Sequence, residues 1–145
     1  MDAADIAKAL ESLLTKLDVS FVLDTLIYLR KGGRCSALAA LGANLLSLKP
    51  CIEVRDGTMD VGKKHRGKLD KAFLQYITDR LKDRDDIDTR RIFITDSGIS
   101  EEMRAVLKET VLSCQPFEQV YFSRSGCVIS GHCGPWCMGI LYYHK

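Results

Sequence analysis

The segment from Arg91 to Ser123 constrains the fold most. RIFIT (91–95) is a continuous apolar strand, and Ser100 with Glu101 and Glu102 opens a helix. A hydroxyl there caps free N–H groups, and carboxylates favour the positive end of the helix dipole. Met103, Val106, Leu107 and Val111 give that helix a core face, and QVYFS (119–123) returns as a strand. Strand, helix and strand in this order pack as a right-handed parallel crossover. Upstream, CIEVRDG alternates Ile52 and Val54 with Glu53 and Arg55. It ends in Asp56-Gly57, a turn that makes 58–64 a hairpin partner. A hairpin and a crossover in one sheet make that sheet mixed.

The remaining segments add helices to it. Ile6, Leu10, Leu13, Leu14 and Leu17 fall on one helical face. SFVL (20–23) reads as a short strand and DTLIYLR (24–30) as a helix stopped by Gly32-Gly33. SALAALGANLLSL (36–48) is apolar nearly all round, the pattern of a helix buried on several sides and ended by Lys49-Pro50. Leu69, Phe73, Tyr76, Ile77 and Leu81 mark an amphipathic helix over 68–82, KDRDDIDTRR reads as a solvated connection, and CMGILYY (137–143) is a final strand. The expected fold is α/β: a three-layer sandwich with a mixed sheet of roughly six strands and helices on both faces.

At 145 residues the chain suits one domain, and 46% hydrophobic with 28% charged residues excludes a disordered tail. A net charge of +2 without a basic stripe gives no case for nucleic acid. Apolar runs stay far below the ~18–20 residues of a membrane span. The opening MDAADIAKALESLL lacks a secretion signal's basic start and cleavage site, so a cytoplasmic protein is expected. Six cysteines (Cys35, Cys51, Cys114, Cys127, Cys133, Cys137) lack a C-x2-C zinc spacing. They read as reduced, mostly buried thiols, with no metal and no cofactor expected, although His132, Cys133 and Cys137 lie close in sequence.

Three glycine-punctuated clusters could carry chemistry. Arg30-Lys31-Gly32-Gly33-Arg34 is either a helix C-cap or a grip for a carboxylate or phosphate. Lys63-Lys64-His65-Arg66-Gly67-Lys68 is either a solvated turn or an anion site. In Ser125–Trp136, expected as a loop between strands, His132 and Ser130 are candidate donors to a carboxylate or phosphate. Cys133 beside His132 also raises a thiol-enzyme reading, disfavoured because neighbours in an extended segment point to opposite sides. TDSG (95–98) has the form of a phosphate-binding strand-to-helix turn, with Asp96 opposing an anion.

Taken in order, VSFVLDTLIYLRKGGR, the apolar segment ending in SLKP, CIEVRDG, KKHRGK, DRDDIDTRRIFITDSG and GCVISGHCGPWCMGILYY resemble the C-terminal domain of DegV-family fatty-acid-binding proteins. The resemblance implies an acyl carrier for bacterial fatty acid kinase that performs no chemistry itself. It would bind a long-chain fatty acid with the carboxylate at the junction of two domains. His132, with Ser130 and Gly131, then matches the carboxylate site. Arg34 and Arg66 match the carboxylate region or the kinase-facing surface. Two positions depart from the family: Asp96, where His is frequent, and Trp136, where a smaller residue is frequent. Residues 1–145 are expected to be a single DegV-like C-terminal domain without its N-terminal partner. Alone it should bind lipid weakly or not at all, with self-association through uncovered apolar surface as a further outcome. The alternative is a stand-alone α/β domain whose basic loops bind a phosphate-bearing small molecule or a protein partner.

Overall fold

The computed structural model describes residues 1–34 and 48–145. The elements run α1 (Ala3–Leu14), β1 (Leu17–Val22), α2 (Ile27–Lys31), β2 (Leu48–Arg55), β3 (Thr58–Arg66), α3 (Leu69–Leu81), β4 (Ile87–Asp96), α4 (Glu101–Cys114), β5 (Val120–Arg124), α5 (Cys127–Cys133) and β6 (Met138–His144). The strands form one mixed sheet in the order β3-β2-β1-β6-β4-β5. β4 and β5 pair in parallel across α4, and every other pair is antiparallel.

Local chemistry accounts for these elements. Asp56 and Gly57 have φ of 49° and 74°, and Arg55 pairs with Thr58. Positive φ at both central residues gives a two-residue turn whose twist matches the strands it joins. Ser100 Oγ accepts from Met103 N–H at 3.2 Å, which caps α4. Alternation along the strands splits the core. Val22, Cys51, Ile92, Ile94, Met138, Ile140 and Tyr142 pack with α3 and α4 on one face. Phe21, Leu23 and Ile52 pack with Leu29 of α2 and Cys133 of α5 on the other. The buried Tyr76 hydroxyl ties α3 to the sheet by donating to the Ser20 carbonyl at 2.8 Å and accepting from Ile140 N–H at 3.2 Å.

The structure departs from several expectations. Residues 127–133 are a helix, not a loop: the Gly126 carbonyl accepts from Ser130 N–H and the Ser130 carbonyl from Gly134 N–H. That helix is short and leaves Val128 and Ile129 exposed, so it lacks a core-facing period. The strand after α3 begins at Ile87, whose side chain is buried, so only the first half of KDRDDIDTRR is a connection. Val106 is exposed although it follows the α4 stripe. β1 begins at Leu17, ahead of the expected Ser20. Asp2 caps α1 through Asp5 N–H, yet Ile6, Leu10 and Leu14 are exposed, with no cover among the described residues. The expected helix over 36–48 lies outside the described residues except for Leu48, which opens β2.

Candidate functional site

The carboxyl ends of β4 and β5 and the start of β6 meet at one corner, and Asp96 and Ser97 hold it. Asp96 is buried, and its Oδ1 accepts from the N–H groups of Gly98 and Ile99 at 2.9 and 3.0 Å. Its Oδ2 accepts from Arg104 Nη2 at 2.8 Å. Burial pushes this carboxyl up, but those hydrogen bonds and the Arg104 charge together hold its pKa below the ordinary value. The TDSG turn therefore spends these N–H groups on its own carboxylate. Ser97 Oγ donates to the Gly134 carbonyl at 2.7 Å and accepts from Cys137 N–H at 3.0 Å, fixing the segment that joins α5 to β6.

Beside this corner lies a half-open cavity of about 500 Å³. Phe21 and Leu141 of the sheet, Leu29 of α2, Met59 of β3, and Val128 and Ile129 of α5 supply apolar walls. Arg34, Ser125, His132, Cys133 and Cys137 bring polar atoms to the same lining. Ligand cavities of this size, mostly apolar with a few convergent polar groups, are the usual setting for small-molecule binding.

Gly32 positions His132. A Cβ at residue 32 would stand 2.1 Å from the His132 Nδ1, so α2 and α5 approach this closely only because the side chain is absent. Two residues on, at the C-cap of α5, a Cβ on Gly134 would stand 2.3 Å from the Tyr28 ring. Arg34 folds back to donate from Nη1 to the Gly32 carbonyl at 3.0 Å. Imidazole and guanidinium thus converge on one end of the cavity. His132 packs against Gly32 at the C-cap of α2, and Cys133 follows it as the last residue of α5.

The other candidates fall elsewhere. Ser130 Oγ shares a hydrogen bond with Ser125 Oγ at 2.8 Å, and it is Ser125 that lines the cavity. Gly131 is exposed on α5. Arg66 ends β3, the edge strand, outside the cavity lining. In the 63–68 cluster, Lys63 pairs with Asp79 of α3 at 2.8 Å and His65 is buried toward the same helix. Alternation along β3 therefore separates these cations instead of gathering them. Among the described residues no cluster of His, Cys, Asp and Glu could hold a metal, and no helix is long and apolar enough to cross a membrane. Gly32 and Ser125 were not singled out in the sequence as site residues. Both lie inside glycine-punctuated clusters that the sequence points to, but nothing local distinguishes Gly32 from Gly33 or Ser125 from Ser130.

A family model described as "Uncharacterised protein, DegV family" matches residues 1–145. The chain belongs to the DegV family. A DegV domain-containing protein of Deinococcus radiodurans is 31% identical over 141 residues, covering 93% of this chain and 47% of the relative. A DegV domain-containing protein of Clostridium acetobutylicum is 32% identical over 140 residues, covering 96% and 48%. This DegV chain thus spans about half the length of the curated relatives it matches. Among solved structures, a DegV family protein from Thermus thermophilus described for its fatty acid binding superposes with a TM-score of 0.79 at 30% identity. The match covers all of this chain and 51% of that one. The fatty acid kinase B3 protein of Streptococcus pneumoniae, loaded with linoleic acid, shares the fold with a TM-score of 0.83 at 20% identity over 100% and 50%.

Proposed function

We propose that this DegV chain is a lipid-binding module that holds a long-chain fatty acid, with the carboxylate at His132 and the chain along the apolar walls. The observation that carries the reading is the cavity itself, in which His132 and Arg34 stand at one end of a wall built from Phe21, Leu29, Val128, Ile129 and Leu141. A carboxylate beside apolar surface costs several kcal/mol unless donors meet it. An imidazole N–H and a guanidinium supply such donors. Ser130 and Gly131 lie beside His132 on the last turn of α5, and Ser125 precedes the helix in the cavity lining, so a hydroxyl reaches the head group after a small adjustment. Arg66 faces solvent and belongs in this reading to a surface for a fatty acid kinase, which would receive the bound acid from the carrier. The half-open cavity implies weak binding by this chain, tightened by the part of the longer relatives that it does not match.

Displacement of a fluorescent fatty acid by unlabelled palmitate tests the reading. Saturable displacement by the parent chain and a clear loss of affinity in His132→Ala are expected. No displacement up to the solubility limit of palmitate, or equal affinity in His132→Ala, overturns it.

A further inference from the structure

The cavity wall carries two thiols that lipid binding does not use. Cys133 ends α5 and Cys137 precedes β6; both line the cavity, and they are 7% and 6% exposed. Between them Gly134 and Trp136 adopt φ of 78° and 61°, which turns the chain sharply. Ser97 clamps that turn from both sides through the Gly134 carbonyl and Cys137 N–H. The two side chains are buried in one cluster with Leu23, Leu29 and Ile52, on either side of the clamped turn.

From this placement we propose that Cys133 and Cys137 form a peroxide-sensitive dithiol, oxidised to a disulfide by hydrogen peroxide that reaches it through the cavity. The two sulfurs have different parts. The neighbouring Cys137 thiol lowers the pKa of Cys133, while Cys133 and burial together raise that of Cys137. The thiolate is the reactive form, so Cys133 attacks first. Its sulfur bonds to one peroxide oxygen, the O–O bond breaks, and the departing hydroxide takes a proton to leave as water. Cys133 is then a sulfenic acid. The Cys137 sulfur attacks it, the S–O bond breaks, and the oxygen leaves as a second water with the Cys137 proton. Two thiols and one peroxide give one disulfide and two waters, with two electrons passing from sulfur to peroxide. Cys51 serves as the contrast: it is buried in the opposite layer, where burial pushes its thiol up to about 12.

The test uses Cys127→Ser chain, because exposed Cys127 shares the tryptic peptide 125–145 with both thiols. After peroxide, that peptide is expected to be two hydrogens lighter, to accept no alkylating reagent, and to recover both thiols with dithiothreitol. Adding Cys137→Ser should leave a dimedone-reactive sulfenic acid at Cys133. Adding Cys133→Ser should leave Cys137 unmodified over the same exposure. Trp136, the single tryptophan, lies between the pair, so quenching of its emission follows the reaction in intact protein. Two alkylatable thiols surviving a dose that oxidises Cys127 in the parent chain would overturn the proposal. So would a disulfide that forms only in urea, or sulfenic acid trapped first at Cys137. A filled cavity should slow the oxidation, a consequence that rests on the lipid reading. If palmitate leaves the rate unchanged while the disulfide still forms, the lipid reading fails and the dithiol stands.

Discussion

Replacing Gly32 by alanine displaces the proposed carboxylate donor without touching it chemically. Gly32 has φ of −78°, which alanine adopts without strain. The added Cβ would lie 2.1 Å from His132 Nδ1 and 2.7 Å from Cε1, far inside contact distance. The imidazole is a side chain and swings away, so the fold survives. Stability should change little, since a tolerated Gly→Ala change gains about 0.4–1 kcal/mol from the unfolded state. Losing a hydrogen bond to a charged group costs about 1.5–3 kcal/mol, or roughly 10- to 150-fold in affinity. Palmitate competition measured on Gly32→Ala, His132→Ala and the double variant reads this directly. The double variant should bind like His132→Ala alone, because the clash has lost its object. Parental affinity in Gly32→Ala, or losses that add in full, would refute the placement of the donor.

Further predictions concern three residues of the scaffold. Asp96→Ala removes the acceptor for Gly98, Ile99 and Arg104, and should cost roughly 3 kcal/mol in urea unfolding. Because the folded pKa of Asp96 is depressed, its contribution is present above the unfolded value and lost as pH falls through the folded one, and this acid-side slope should shrink in Asp96→Asn. Burial lowers the pKa of His65, with Asp79 opposing. An unfolded histidine takes its proton near pH ~6.5, so stability should fall as pH drops below that value, and less so in His65→Phe, by urea midpoints at neutral and mildly acidic pH. Tyr76→Phe leaves the Ser20 carbonyl and Ile140 N–H short of a partner and should cost about 1–3 kcal/mol by thermal unfolding; an unchanged melting temperature would contradict the proposed tie.

The fold was legible where the chain carries strong local codes. The apolar RIFIT, the Ser100 cap and the Asp56-Gly57 turn each specify their element within a few residues, and together they imply a mixed sheet with helices on both faces. α5 was not legible, because its seven residues keep Val128 and Ile129 in solvent and show no apolar period. α1 shows the converse: its stripe of Ile6, Leu10 and Leu14 is clear in sequence, but a period names a face and not what covers it. His132 and Arg34 stood out as chemistry-bearing types in glycine-rich segments. Their approach depends on the missing side chain of Gly32, a contact between distant parts of the chain that no local pattern encodes. The basic run at 63–68 read as one cluster, whereas a β-strand sends alternate residues to opposite faces, turning Lys63 and His65 toward α3.

Calorimetric titration of the parent chain and His132→Ala with a series of saturated fatty acids of increasing length tests lipid binding most directly. Each methylene fully removed from water contributes about 0.8 kcal/mol, so a half-open apolar wall should give roughly twofold tighter binding per added carbon. Both proteins should show that slope, with His132→Ala weaker at every length. Affinity that does not rise with chain length, or two coincident lines, would contradict a fatty acid held with its carboxylate at His132.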